Sequence, residues 1–115
     1  MPDRAEVGGY QADMDSSGTY WGCLYDESRR GMLVQADQAA TSKVVKPDDW
    51  NRYEIRCDGG RIQLLVNDLR TVEYTETDPN IPRSGIIGVQ VHAGAPSETW
   101  SRHLRIAELP QACLF

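Results

Sequence analysis

Residues Tyr53 to Thr75, YEIRCDGGRIQLLVNDLRTVEYT, decide the fold. Tyr53, Ile55 and Cys57 alternate with Glu54 and Arg56, and Ile62, Leu64 and Val66 alternate with Gln63 and Leu65. A side-chain period of two marks a strand with two unlike faces. Between these runs stands Asp58-Gly59-Gly60, and glycine supplies the positive φ that a tight hairpin requires. Asn67-Asp68 turns the chain a second time before Thr71 to Thr75 runs back. Short antiparallel strands joined by Gly, Asp and Asn turns predict an all-β sandwich or jelly roll.

The same signals continue on both sides. Over residues 9–15, Tyr10, Ala12 and Met14 fall on one side and Gln11, Asp13 and Asp15 on the other, so a half-buried strand is expected. Residues 19–25, TYWGCLY, are aromatic and β-prone. The polar stretch from Asp26 to Asp49 reads as a loop with a short strand at 32–35, and DESRRGML has room for one helical turn. No segment has the apolar stripe of an amphipathic helix. Trp50 reads as a core anchor. Gly85 to His92, GIIGVQVH, is the most strand-like run, and Leu104 and Ile106 mark a last strand.

The composition bounds what the chain does. Its 115 residues fit one small domain, and 40% hydrophobic content suffices for a core. Twelve Lys and Arg against seventeen Asp and Glu give a net charge of −5, with no basic cluster. Phosphate neutralisation dominates nucleic-acid affinity, so no nucleic-acid partner is expected. No apolar run approaches the roughly 18 residues of a membrane span, and the first residues carry no export signal. The cysteines Cys23, Cys57 and Cys113 form no C-x-x-C pair and read as buried or free thiols.

Five blocks in a fixed order carry a family likeness: Glu6 to Gln11 with Asp13 and Asp15; Gly22 to Glu27 with Arg29 and Arg30; Lys46 to Ile55; Gly85 to His92; and Arg102 to Leu109. Over residues 6–109 the chain resembles the 3-keto-disaccharide hydrolases, also described as 3-keto-glucoside 1,2-lyases and 3-keto-2-hydroxyglucal hydratases. The resemblance implies a concanavalin A-like jelly roll. It reads residues 1–115 as a single domain, the C-terminal portion of a longer sandwich that lacks its opening strands. The uncovered sheet face is then closed by those missing strands or by a second copy in a homodimer. The usual Arg-Asn-Ile near the last strand stands here as Arg102-His103-Leu104.

The implied reaction is cleavage of a glycoside already oxidised at C3. The ketone acidifies the C2 hydrogen, a base removes it, the C1 substituent leaves by β-elimination, and water adds back. The residues expected to do this are His92, Glu27 and Asp13 for catalysis, with Gln11, Gln90, Arg30 and Tyr25 binding the sugar. Histidine suits acid–base work because its pKa lies near neutrality; read alone, a lone histidine is more often structural, and it is the resemblance, with its Gln-x-His block, that reverses this for His92. Gln11 and Asp13 line one strand face, and Gln90 and His92 another. If both belong to one concave sheet, they meet in a groove; otherwise they are solvated faces. Glu27 and Arg30 are either a charged turn or a base with an anion-binding partner. Asp13, Glu27 and His92 would also suit a divalent cation, though their spacing matches no metal motif. The alternatives are a non-catalytic lectin-like carbohydrate-binding module and an inactive fragment. A periplasmic or extracellular setting is implied by the resemblance.

Overall fold

The computed structural model describes residues 8–14, 20–90 and 98–109. The chain divides into two compact units, Met1–Ile81 and Pro82–Phe115. The first unit holds strands β1 (Gly9–Ala12), β2 (Leu24–Glu27) and β3 (Gly31–Val34), helix α1 (Gln38–Val44), and strands β4 (Tyr53–Asp58), β5 (Arg61–Val66) and β6 (Leu69–Thr75). They form two antiparallel sheets, β1-β2-β3 and β4-β5-β6. This is the expected all-β sandwich.

The meander of β4, β5 and β6 forms where the alternation places it. A two-residue loop at Gly59 and Gly60 sets Asp58 opposite Arg61, with Gly59 at a φ of 60°. The next loop puts Asn67 at 48° and Asp68 at 72°, both left-handed, as a hairpin turn matching the strand twist requires. Ile62, Leu64 and Val72 of this sheet pack with Leu24 of β2, and Ala12, Leu33, Val34, Tyr53 and Tyr74 lean on that centre. Each fully buried aliphatic side chain contributes roughly 1.5–3 kcal/mol.

The other strands keep their predicted positions with trimmed ends. The first spans Gly9–Ala12 rather than 9–15, with Asp15 outside the described residues. The second begins at Leu24, because Trp21 and Gly22 form a turn, and it runs on through Asp26 and Glu27. Thr71 requires that turn to be glycine. A Cβ on Gly22 would lie 2.7 Å from both Thr71 Oγ1 and Thr71 Cγ2, and its φ is +77°. The Thr71 hydroxyl donates to the Gly22 carbonyl at 2.7 Å.

Three expectations are corrected. The polar stretch contains helix α1, which is too short to show an apolar stripe. It starts because the Asp37 side chain accepts from the N–H groups of Ala39 and Ala40, at 3.0 and 3.3 Å. Trp50 is not a core anchor: it is 38% exposed beside the loop that Asn51 braces. In the second unit, residues 82–90 and 98–109 carry no strand, so the runs expected at 85–92 and 104–109 are absent over the described residues. Ile86, Ile87, Leu104 and Ile106 are exposed there. Alternation makes a segment fit for a sheet, but a strand exists only when a neighbour accepts its hydrogen bonds.

Candidate functional site

The pleat of β1 and β2 sorts the candidate residues. Tyr10 stands opposite Asp26 and Ala12 opposite Leu24, on the face that meets the core. Gln11 stands opposite Tyr25, and Gly9 opposite Glu27, on the other face. Gln11 donates through Nε2 to Asp13 Oδ1 at 2.5 Å, so this polar face continues past the end of β1. Four of the predicted residues, Gln11, Asp13, Tyr25 and Glu27, therefore belong to the β1–β2 ribbon. A ring, an amide and two carboxylates on one ribbon suit a sugar, whose hydroxyls need donors and acceptors and whose ring faces are apolar.

Asp26 and Glu27 are neighbours with opposite environments. Asp26 is 0% exposed. It accepts from Arg29 Nε at 2.7 Å and from Arg30 Nε at 2.5 Å. Burial pushes its carboxyl up, but the hydrogen bonds from Arg30 and Arg29 outweigh burial and hold it below the usual carboxylate range. Glu27 lies half-buried on the outward side, and among the described residues no ion pair engages it.

Arg30 links the two sheets. Beyond Asp26, its Nη2 meets Glu76 Oε1 at 2.7 Å and its Nη1 meets Oε2 at 3.2 Å, a two-pronged grip on a residue just past β6. Glu76 is 5% exposed; it also accepts from the Tyr10 hydroxyl, and from the Asp78 N–H at 3.0 Å. Hydrogen bonds from Arg30, then from Tyr10, hold the Glu76 carboxyl at about 2. Loss of water around the Tyr10 hydroxyl, then its bond to Glu76, pushes that phenol up to about 12. The Arg29 and Arg30 guanidiniums lie 5.4 and 5.9 Å from the centre of the Tyr10 ring. Arg30 is thus held charged, first by Glu76 and then by Asp26, and its guanidinium is only partly covered.

Neither Glu76 nor Tyr10 is among the residues expected from sequence. Glu76 follows β6 in the unremarkable run Thr75-Glu76-Thr77-Asp78, 46 positions from Arg30. Only the facing of two sheets brings them together. Of the remaining candidates, Gln90 is exposed in the second unit, and His92 lies outside the described residues. Trp21 lies against Tyr53 with ring centroids 6.1 Å apart. Trp100 is exposed, its indole N–H donating to Glu98 at 2.6 Å.

Among the described residues, no three His, Cys, Asp or Glu side chains gather as a metal site. Cys23 is a buried free thiol and Cys57 an exposed one, and Cys113 lies outside the described residues. No helix among the described residues is long and apolar enough to cross a membrane.

A family model described as a 3-keto-alpha-glucoside-1,2-lyase-like domain matches residues 2–107. No curated protein matches the chain.

Proposed function

The chain belongs to the 3-keto-alpha-glucoside-1,2-lyase-like family, a carbohydrate-related β-sandwich, and from that premise we propose that it cleaves 3-keto-glycosides by elimination followed by hydration. The observation that carries the role assignment is the split between Asp26 and Glu27. One carboxylate is buried and neutralised, and the next is turned outward beside Tyr25 and Gln11.

The base takes the C2 hydrogen, and its electron pair passes into the enediolate of the C3 ketone. That pair then re-forms as a C1=C2 double bond while the C1–O bond breaks. An acid protonates the departing alkoxide, and water adds across the double bond to give the 3-keto sugar. No oxocarbenium ion is required, which separates the reaction from ordinary glycoside hydrolysis. Glu27 serves as the base, with Asp13 as its partner in proton transfer, and His92 is the alternative base. Arg30, held by Asp26 and Glu76 on the core side of the ribbon, braces the strand that carries Glu27. Gln11 and Tyr25 hold the sugar.

The family also supports an exported setting, periplasmic or extracellular. The test is incubation of the full chain with a 3-keto-glucoside bearing a chromogenic leaving group, with and without chelator. Release of the aglycone is expected. E27Q should lower turnover by roughly 10²–10⁴-fold, and H92A by a similar factor if histidine is the base. Saturable binding of the unoxidised glucoside with no release would replace the enzyme by a lectin-like module. Release unchanged in both variants would remove both residues from the reaction.

A further inference from the structure

Strand β4 is paired on one side by β5, and among the described residues no strand takes its other edge. Which of its main-chain groups face that edge follows from two contacts. Asn67 N–H donates to the Arg52 carbonyl at 2.8 Å, and Arg52 N–H donates to Asn67 Oδ1 at 2.8 Å. Arg52 thus turns both its main-chain groups towards β5, and the unbroken register from Tyr53 to Asp58 carries the same sense to Glu54, Arg56 and Asp58. Tyr53, Ile55 and Cys57 therefore turn their N–H and C=O groups to the open edge.

The side chains of β4 are sorted just as sharply. Tyr53, Ile55 and Cys57 lie opposite Val66, Leu64 and Ile62 and share their apolar face, yet Ile55 is 58% exposed. On the other face the order is Arg52, Glu54, Arg56, Asp58: plus, minus, plus, minus. Charged residues on an edge ordinarily discourage pairing. Alternating sign does something narrower, because it discourages every register except one.

We propose that this edge pairs with a second copy of the chain, antiparallel about a two-fold axis, with Ile55 facing Ile55 of the other copy. In that register Glu54 meets Arg56 and Arg52 meets Asp58, each twice by symmetry, so every charge on the strand faces its opposite. The outward main-chain groups of Tyr53, Ile55 and Cys57 meet their counterparts in phase. A slip of two residues sets Glu54 against Glu54, or Arg56 against Arg56. A slip of one puts the main-chain groups out of phase and turns each apolar side chain against the wrong face. The contact is isologous and closes on itself, so it stops at two copies, and it covers the Ile55 pair. It stands whether or not the chain turns over sugar.

The experiment is sedimentation of the full chain over a concentration series, with folding monitored by far-ultraviolet circular dichroism. A dimer is expected at roughly 100 µM. R56E sets like charges against Glu54 at both symmetry-related positions and should weaken the dimer roughly tenfold or more. The double variant E54R/R56E reverses both signs and should restore it; because Arg56 also pairs with Glu54 within one chain at 2.9 Å, R56E is expected to keep the circular dichroism of the parent while losing the dimer. For the register, oxidation of I55C in a C57S background should join two copies, because facing Cα atoms in such a pair lie about 5.5 Å apart. A monomer throughout the series, a dimer indifferent to R56E, or failure of the double variant to restore association would each overturn the proposal. Fast disulfide joining through native Cys57 with none through I55C would overturn the register.

Discussion

Gly22 shows how one residue controls the approach of the two sheets. Its carbonyl is held by Thr71 of β6, and no Cβ fits between them. G22A should cost about 2 kcal/mol, from overpacking added to left-handed strain, and a denaturant midpoint will measure it. T71S, which keeps the hydroxyl and removes one of the crowding methyl contacts, should recover part of that loss when combined with G22A. Glu76 is the second controlling residue, and its effect is tied to pH. Its carboxyl lies at about 2 in the fold against an ordinary 4.5, so the charged form is favoured by folding. That stabilisation is fully present above about 4.5 and is lost as pH falls towards about 2. Asp26 acts in the same direction, its pKa also being lowered. Melting temperature followed from neutral pH downward should therefore fall through that window, and in E76Q the profile should be flatter and start from a lower value.

At the scale of elements, Asn67 joins three pieces that are distant in sequence. Its Nδ2 donates to the Val44 carbonyl at 2.6 Å, at the end of α1, and to Asn51 Oδ1 at 2.8 Å. Its Oδ1 accepts from Arg52 N–H, and its own left-handed backbone forms the β5–β6 turn. N67A should destabilise the first unit by about 2 kcal/mol, since it removes bonds to part-buried partners as well as straining the turn. N67D keeps the acceptor and tolerates the backbone but loses the donors, so roughly half of that cost is expected. Comparing the two by chemical denaturation separates turn geometry from bracing of the helix. The turn itself is legible in the sequence because Asn-Asp between alternating runs has a local cause. Helix α1 is not legible, because its stability comes from the Asp37 cap and from packing of Thr41, and neither leaves a periodic mark over so few residues.

For the whole molecule, legibility follows the range of the interaction. The β4–β6 meander and the positions of β1 and β3 follow from neighbours in sequence. The pairing of Arg30 with Glu76, and of Tyr10 with both, depends on two sheets meeting and has no local signal. The runs at 85–90 and 104–109 show the opposite failure: their pattern suits strands, yet no partner among the described residues makes them so. Of the candidate site, the face bearing Gln11 and Asp13 is legible from alternation, whereas its pairing with the strand that carries Tyr25 and Glu27 is not. Nor is the carboxylate frame that orients Arg30.

Trp21 lies against Tyr53, and the Tyr53 hydroxyl donates to the Asp13 carbonyl at 3.0 Å. This pair joins the turn before β2 to the start of β4 and gives the molecule a built-in chromophore couple. Its near-ultraviolet ellipticity and indole emission report whether the layers are seated against each other, independently of whether either layer is intact. In Y53F that signal should persist while its thermal midpoint drops by a few degrees, because the ring stays and only the tether to Asp13 is cut.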